Sequence, residues 1–316
     1  MSTLAKDSST LSIFACPKPF VDPHISMIQR NAIRSWTLLR PRPQITLFGN
    51  EAGVSEICRE FGLAHVPNVK RNEFGTPLLN DVFAKASCLS DGNCICYINA
   101  DIVLMRDVER VIGAAARMKR PFLMGGRPWA LDVSEPMQFS PGWEEQLRHD
   151  VAKVGTLRDW HACDYFVFSK NLWKNLPPFA LGRSYFDNAL LYLARKRGPL
   201  VDATPEVMAV HQNHPYPAWL GGDLYLTNPE ALRNIELAGG RNRLYCWRNA
   251  THVLTPGGVK LQLTGYLRIC GLYSKSLYRW RKWFWFPVLA ATRTVRHLVG
   301  LRSSTLRSKA ARLKFH

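Results

Sequence analysis

After Glu236 the chain has no aspartate or glutamate, and that absence governs how its charge is read. The last 80 positions carry sixteen lysines and arginines, from Arg241 to Lys314, of a net charge of +18, so the rest of the chain keeps an ordinary +2. Two regions with different chemistry are implied. Long apolar runs are also missing: the longest, Trp283 to Ala291, is about half of what spans a bilayer, and Met1 to Thr10 have no apolar core of signal-peptide length. An unsecreted protein without a transmembrane helix is the expectation. The eight cysteines, at Cys16, Cys58, Cys88, Cys94, Cys96, Cys163, Cys246 and Cys270, form no C-x-x-C pair and no small-domain framework. Reduced thiols in a cytosol are therefore expected, and the Asn249-Ala-Thr sequon has no consequence there. Internal repeats and low-complexity segments are absent too.

What the chain does have is material for a core. At 316 residues with 47% apolar and 11% aromatic side chains, it is long enough for one large domain or two modest ones. Short apolar runs at 11–17, 44–50, 63–69, 93–101 and 121–126, bounded by Gly, Pro and Asn, read as strands. Between them His24 to Leu39, Glu51 to Phe61, Leu78 to Leu89 and Val108 to Met118 have helical spacing. Strand and helix in alternation predict an α/β fold with a mainly parallel sheet flanked by helices.

Ligands bind such sheets beyond the carboxyl ends of the strands. In the run CYINADIVL, Asn99 and Asp101 fall at that end, two residues apart and therefore on one side of an extended strand. Together they offer oxygen ligands suited to Mg²⁺ or Mn²⁺. Capping of the following turn by Asp101 is the competing role.

Taken in order, IFACPKPF near the start, RNEFGTPLLN at 71–80, YINADIVL at 97–104, DYFVF at 164–168, FDNALL at 186–191 and VDATPEVMAVHQNH at 201–214 make the stretch from Leu11 to about His214 resemble a family 2-like glycosyltransferase. These enzymes have the GT-A, Rossmann-like fold of the nucleotide-diphospho-sugar transferase superfamily. The resemblance covers about two thirds of the chain. It implies a hexosyl or related transferase that uses a nucleotide-sugar donor and a divalent cation, Mn²⁺ or Mg²⁺. The chain departs from the family's D-x-D at its first position, where it has Asn99.

Sugar transfer asks for three things of the residues. Charge growing on the departing diphosphate has to be neutralised, which assigns Asp101 as main metal ligand with Asn99 beside it on the donor side. His211 closes the apolar run Val207 to Val210, and the resemblance implies that it is a metal ligand; His214 competes with it and is otherwise placed on the acceptor side. A base has to take the acceptor hydroxyl's proton if the displacement is inverting. The resemblance implies Asp187 for this, although Ser184 and Asp187 also approximate a capping box for a helix from Tyr185 to Arg197. Asp164 is the alternative. Finally, the donor has to be held. Arg71, Asn72, Glu73 and Gly75 form a loop before a helix that suits a nucleotide, with Asn80 one turn further on and Arg127 and Trp129 on the acceptor side.

The expected division is a polar tail at 1–10, a GT-A domain at 11–258 and a basic, aromatic, helical extension at 259–316. Within the extension, Tyr278 to Leu301 mixes Trp and Phe with Arg and Lys, the composition of a segment lying on an anionic membrane. Packing on the catalytic domain and nucleic-acid binding compete with that reading, and no nucleic-acid module accompanies the charge. The expected partners are a nucleotide-sugar donor, a carbohydrate or lipid-linked acceptor and an anionic membrane surface. The expected location is the cytoplasm, with peripheral attachment to the inner face of a membrane. A nucleotidyltransferase making a nucleotide sugar ranks lower, because the loop after the first strand has Lys18 but no glycine. The non-enzyme alternative is a basic membrane- or nucleic-acid-binding protein with a degenerate transferase fold.

Overall fold

The computed structural model describes residues 11–215 and 226–269. In chain order the first half runs β1 (Leu11–Ala15), α1 (Pro23–Thr37), β2 (Gln44–Phe48), α2 (Val54–Phe61), β3 (Ala64–Val66), α3 (Leu79–Leu89), β4 (Cys94–Ile98), β5 (Ile102–Val103), α4 (Glu109–Ala115), β6 (Leu123–Gly125) and β7 (Trp129–Leu131). The second half continues with α5 (Trp143–Val154), β8 (Thr156–Leu157), β9 (Tyr165–Ser169), α6 (Phe186–Arg195), β10 (Leu200–Asp202), β11 (Val210–Gln212), α7 (Pro229–Ala238), β12 (His252–Thr255), β13 (Gly258–Leu261) and α8 (Leu263–Ile269). The five predicted strands and four predicted helices of the first half are all present, with trimmed ends. Helix starts follow local chemistry: Asp22 accepts the N–H of Ile25 at 2.8 Å with Pro23 behind it, and Asn228 accepts that of Ala231 at 2.9 Å with Pro229 behind it.

Nine strands form one sheet in the order β13-β12-β10-β6-β9-β4-β1-β2-β3. Only β9 and β13 run against the other seven. Both faces are covered, and neighbouring residues of one strand serve opposite faces: Ile13 and Cys96 pack with Ile33 and Trp36 of α1, Phe14 and Tyr97 with Val82 and Phe83 of α3. The second face is aromatic, with Phe83 stacked on Phe168 at 5.6 Å and edge-on to Phe14 at 5.0 Å. Such pairs add to the stability given by apolar burial.

Past the carboxyl edge of this sheet lies a second one, β5-β11-β7-β8. It is what fixes the site. β4 ends at Ile98, three residues before the expected end at 101, so Asn99 and Asp101 do not share a strand face: the chain turns there, and Ile102 N–H reaches Asn99 C=O at 3.2 Å. β5 then pairs with β11, Ile102 opposite His211. Helix α1 holds this strand from beneath: Trp36 Nε1 donates to Ile102 C=O at 2.9 Å, and Leu104 N–H donates to Ser35 Oγ at 3.1 Å.

The hairpin β12-β13 carries the large sheet to Leu261, past residue 258 where the sequence placed the end of the GT-A domain. Residues 270–316, and with them the aromatic and basic segment Tyr278 to Leu301, lie outside the described residues. The chain divides into units Met1–Tyr266 and Leu267–His316. Among the described residues no helix is long and apolar enough to cross a membrane.

Trp36 is fully buried and bonded to β5, so its loss should be felt throughout. Trp36→Ala is expected to remove about 3–5 kcal/mol of unfolding free energy in a urea titration. Trp36→Phe keeps most of the ring but leaves the Ile102 carbonyl without its donor, at a cost of about 1–3 kcal/mol. A Trp36→Phe protein as stable as the parent would show that the indole bond contributes nothing.

Candidate active site

Asp101 follows the turn that ends β4, and its backbone is held by one residue of β11. Gln212 donates to the Asp101 carbonyl from its backbone N–H at 3.2 Å and from its side-chain Nε2 at 3.1 Å, and Gln212 Nε2 also reaches Ile28 C=O at 2.7 Å. Asn31 of α1 donates to Gln212 Oε1 at 2.9 Å, which fixes the orientation of the amide. Both amides are buried. The sequence placed Gln212 inside a recognised motif without giving it a role.

Three ligand-type side chains meet above this clamp. Potential ligand atoms of Asp101, His211 and His214 all lie within 4.8 Å of one another. His214 Nε2 is 3.1 Å and His211 Nε2 3.9 Å from Asp101 Oδ2. The side chains of His211 and His214 are 8% and 2% exposed, and the two rings lie 5.7 Å apart. Thus His214, placed by sequence on the acceptor side, stands closer to Asp101 than His211 does. Burial alone would push the Asp101 carboxyl up; the close approach of His214, with His211 and Lys18 nearby, outweighs it and brings the carboxyl down to about 2.

This donor set fits a divalent cation. Asp101 Oδ1 and His211 Nδ1 are buried without a hydrogen-bond partner, and imidazole with carboxylate is a donor set for Mn²⁺. His214 Nδ1 lies 3.0 Å from the Pro215 carbonyl, an oxygen that can only accept, so the proton belongs on Nδ1 and Nε2 is the nitrogen turned to the cluster.

Asn99 does not join that cluster. Its backbone N–H donates to Asp164 C=O at 2.9 Å and its Nδ2 to Asp164 Oδ1 at 3.0 Å, while Oδ1 accepts the Tyr97 hydroxyl at 3.0 Å. Arg158 closes the row with an ion pair to Asp164 Oδ2 at 3.1 Å. The reversed direction of β9 explains the meeting, since Asp164 precedes that strand and so reaches the same edge at which β4 ends. Nothing in the local sequence signals it. An aspartate at position 99 would face Asp164 with a second negative charge, whereas the amide joins a donor and an acceptor.

Asp187 stands at the start of α6. The capping box expected of Ser184 is not what begins this helix: Tyr185 is the cap residue, at φ 78°, without a side-chain cap bond. A positive φ on a tyrosine is a strained backbone, and such strain is found where a neighbouring group has to be aimed. Asp187 Oδ1 accepts the N–H of Asn188 at 2.8 Å. Burial, helped by the nearby Asp164 and opposed by the Asn188 hydrogen bond, raises its carboxyl to about 7. Two carboxylates in one cleft are thus given different environments.

The loop expected to hold the donor is braced from two sides. Arg71 pairs with Glu51 at 2.8 Å and donates to Asn50 Oδ1 at 2.9 Å and to Gly75 C=O at 2.8 Å. Asn72 Oδ1 accepts the N–H groups of Phe74 and Thr76, and its Nδ2 donates to Glu230 at 2.6 Å. Glu230 is held by Arg183 at 2.7 Å, and Arg183 also reaches Thr76 Oγ1 at 3.0 Å. Asn72 therefore shapes its own turn, Gly75 takes φ 78° at its tip, and Glu73 is exposed there. Buried oxygens without a hydrogen-bond partner remain on Glu51 (Oε2) and Asn80 (Oδ1). Glu51 and Glu230 were not singled out from sequence; Glu51 follows the carboxyl end of β2, which is a signal of the kind that revealed Asp101.

Arg127 and Trp129 lie apart from one another in role. The Arg127 guanidinium stacks on Trp160 at 3.9 Å and donates to Arg158 C=O at 3.3 Å, beside the Asp164 row. Trp129 sits in β7 opposite Val210 and packs against the core of the small sheet.

No family model matches the sequence, and no curated protein matches it. Among solved structures, the fold is similar to glucosyl-3-phosphoglycerate synthase from Mycobacterium tuberculosis in complex with Mn²⁺, uridine diphosphate and phosphoglyceric acid, at 14% identity, with 73% of this chain and 79% of that one covered and a TM-score of 0.46. The same enzyme with Mg²⁺ and uridine diphosphate is similar at 14% identity, 76% and 85% coverage and a TM-score of 0.44. A further structure of it gives 15% identity, 73% and 81% coverage and a TM-score of 0.45.

The Asp187 environment has a measurable consequence for stability. Its carboxyl ionises near 4 in an unfolded chain and at about 7 in the folded one, so between these values only the unfolded form has lost the proton. Wild-type stability should therefore fall, relative to Asp187→Asn, as pH rises from about 4 to about 7. Urea unfolding of both proteins at pH 4.5 and pH 8 reads this directly: the variant gains on the wild type only at the higher pH, and a constant difference would mean that Asp187 is not held up by burial.

Proposed function

We propose that the chain is a metal-dependent glycosyltransferase of the hexosyl or related type, which moves a sugar from a nucleoside diphosphate to an acceptor hydroxyl by inverting displacement. The observation that carries this reading is the Asp101, His211 and His214 triangle at the carboxyl edge of a mainly parallel sheet, with Asp187 and Asp164 across the same edge. Asp101, His211 and His214 would hold Mn²⁺ or Mg²⁺, which when bound supplies Lewis-acid neutralisation of the departing diphosphate.

The chain's own residues do the rest. Asp187, raised to about 7, is poised to take the acceptor hydroxyl's proton near neutral pH. Asp164, fixed by Asn99 and Arg158, stands near it and helps to raise its carboxyl. On the donor side, the buried acceptor oxygens of Glu51 and Asn80 call for donors such as the N–H of a nucleobase or a ribose hydroxyl. The braced turn at Arg71 to Thr76 gives Gly75 a backbone that a nucleotide can approach closely. Arg127, on Trp160, borders the acceptor side, where a carbohydrate or lipid-linked acceptor would lie. Residues 259–316 would hold the enzyme at an anionic membrane surface from the cytoplasm, as their charge suggests.

A thermal-shift series with nucleoside diphosphates, with and without Mn²⁺, tests the reading, since a ligand bound to the folded state raises its melting temperature. Wild type and Asp187→Asn should both be stabilised by one nucleotide in a Mn²⁺-dependent way, Asp101→Ala should not, and Asp187→Asn should have lost transfer by about 10²-fold or more. Mn²⁺-dependent stabilisation that survives Asp101→Ala would remove the metal assignment.

A further inference from the structure

The loop that follows β1 brings a cation into the metal triangle. Lys18 Nζ lies 3.0 Å from His214 Nε2 and 3.5 Å from Nδ1. Its backbone is fixed by a two-way clamp: Lys18 N–H donates to Gln29 Oε1 at 2.7 Å, and Gln29 Nε2 donates back to Lys18 C=O at 3.0 Å. Gln29 is 2% exposed on α1, so the loop cannot drift from the site without breaking a buried pair of bonds.

Lys18 Nζ and Asp101 Oδ2 thus approach the same nitrogen, at 3.0 Å and 3.1 Å. With the Nδ1 proton directed at Pro215, the neutral imidazole that a metal site requires turns an Nε2 lone pair toward Asp101, and that approach is favourable when positive charge stands beside it. An ammonium can supply it, and so can a metal ion, but both cannot use one lone pair.

We propose that Lys18 couples metal binding to diphosphate binding: its ammonium stands at the ligand nitrogen of His214 until a diphosphate arrives, then turns onto a phosphate oxygen and leaves Nε2 to the metal. This rests on the metal-site reading above. The charges agree with it. Asp101 is the one carboxylate in the triangle, the imidazoles must be neutral to bind a metal, and Lys18 offsets Asp101. A bare divalent cation therefore meets a site with no net negative charge and a competing cation, whereas a diphosphate brings the missing charge and gives Lys18 a partner.

The test is Mn²⁺ binding to the full chain, read by the loss of the free-ion electron paramagnetic resonance signal, with and without inorganic pyrophosphate as a base-free probe. In the wild type, pyrophosphate is expected to tighten Mn²⁺ binding by about a hundredfold. Lys18→Met keeps the apolar stem without the charge. It should bind Mn²⁺ alone about tenfold more tightly than wild type, and its gain from pyrophosphate should shrink to about tenfold or less. Lys18→Arg, which keeps the charge, should retain most of the coupling. Circular dichroism and melting temperature confirm that each variant is folded. If Lys18→Met matches wild type both with Mn²⁺ alone and with pyrophosphate, the coupling role is overturned while the metal site stands. If wild type takes up no Mn²⁺ in either condition, the metal-site reading falls and this inference falls with it.

Discussion

Asp101 is 9% exposed, and a carboxylate so placed is tolerated only where cations and hydrogen-bond donors surround it. The groups that do so come from two distant parts of the chain: Lys18 after β1, and His211 on β11 with His214 just beyond it. Their convergence depends on backbone. Gln212 grips the Asp101 carbonyl, Asn31 orients Gln212, and Trp36 and Ser35 pin the strand that follows. Those bonds hold the small sheet β5-β11-β7-β8 at this edge, and the meeting of Asp101 with the two histidines depends on it.

A second constraint sets the two acids apart. Asp164 is bonded on both oxygens, to Asn99 and to Arg158, whereas Asp187 has the Asn188 N–H, and burial outweighs that bond. Position 99 belongs to this arrangement rather than to the triangle. An amide there joins the Tyr97 hydroxyl to the Asp164 carboxylate, which a carboxylate could not do. The departure from an acidic pair in the NAD stretch thus has a local physical reason.

Much of the fold was legible because its signals are local. Apolar runs of strand length and helical spacing between them depend on residues a few positions apart, as do the caps at Asp22 and Asn228, which were not singled out from sequence. The same locality marks Asp101 as lying just past a strand, whereas His211, expected at a strand end, sits in the middle of β11. What stayed hidden depends on topology. The sequence does not show that β9 enters between β4 and β6 in the reverse direction, so Asn99 and Asp101 could not be told apart. Lys18 was visible only as a cation in a loop without glycine, and Glu230 was not marked at all; their partners lie 196 and 158 positions away. The site boundary was missed in the same way at His214, whose role depends on where β11 ends.

Those separations also bear on when the site comes into being. Contacts far apart in sequence close late, because the chain must lose the entropy of a long loop before they reward it. The pairing of Lys18 with His214 spans most of the ordered domain. On a ribosome the sheet's first four strands can assemble from the leading hundred residues, but Asp101 then has Lys18 beside it and neither histidine. Until about two thirds of the 316 residues have emerged, that carboxylate faces water rather than a finished site. The metal triangle is therefore completed only when β11 arrives with its imidazoles.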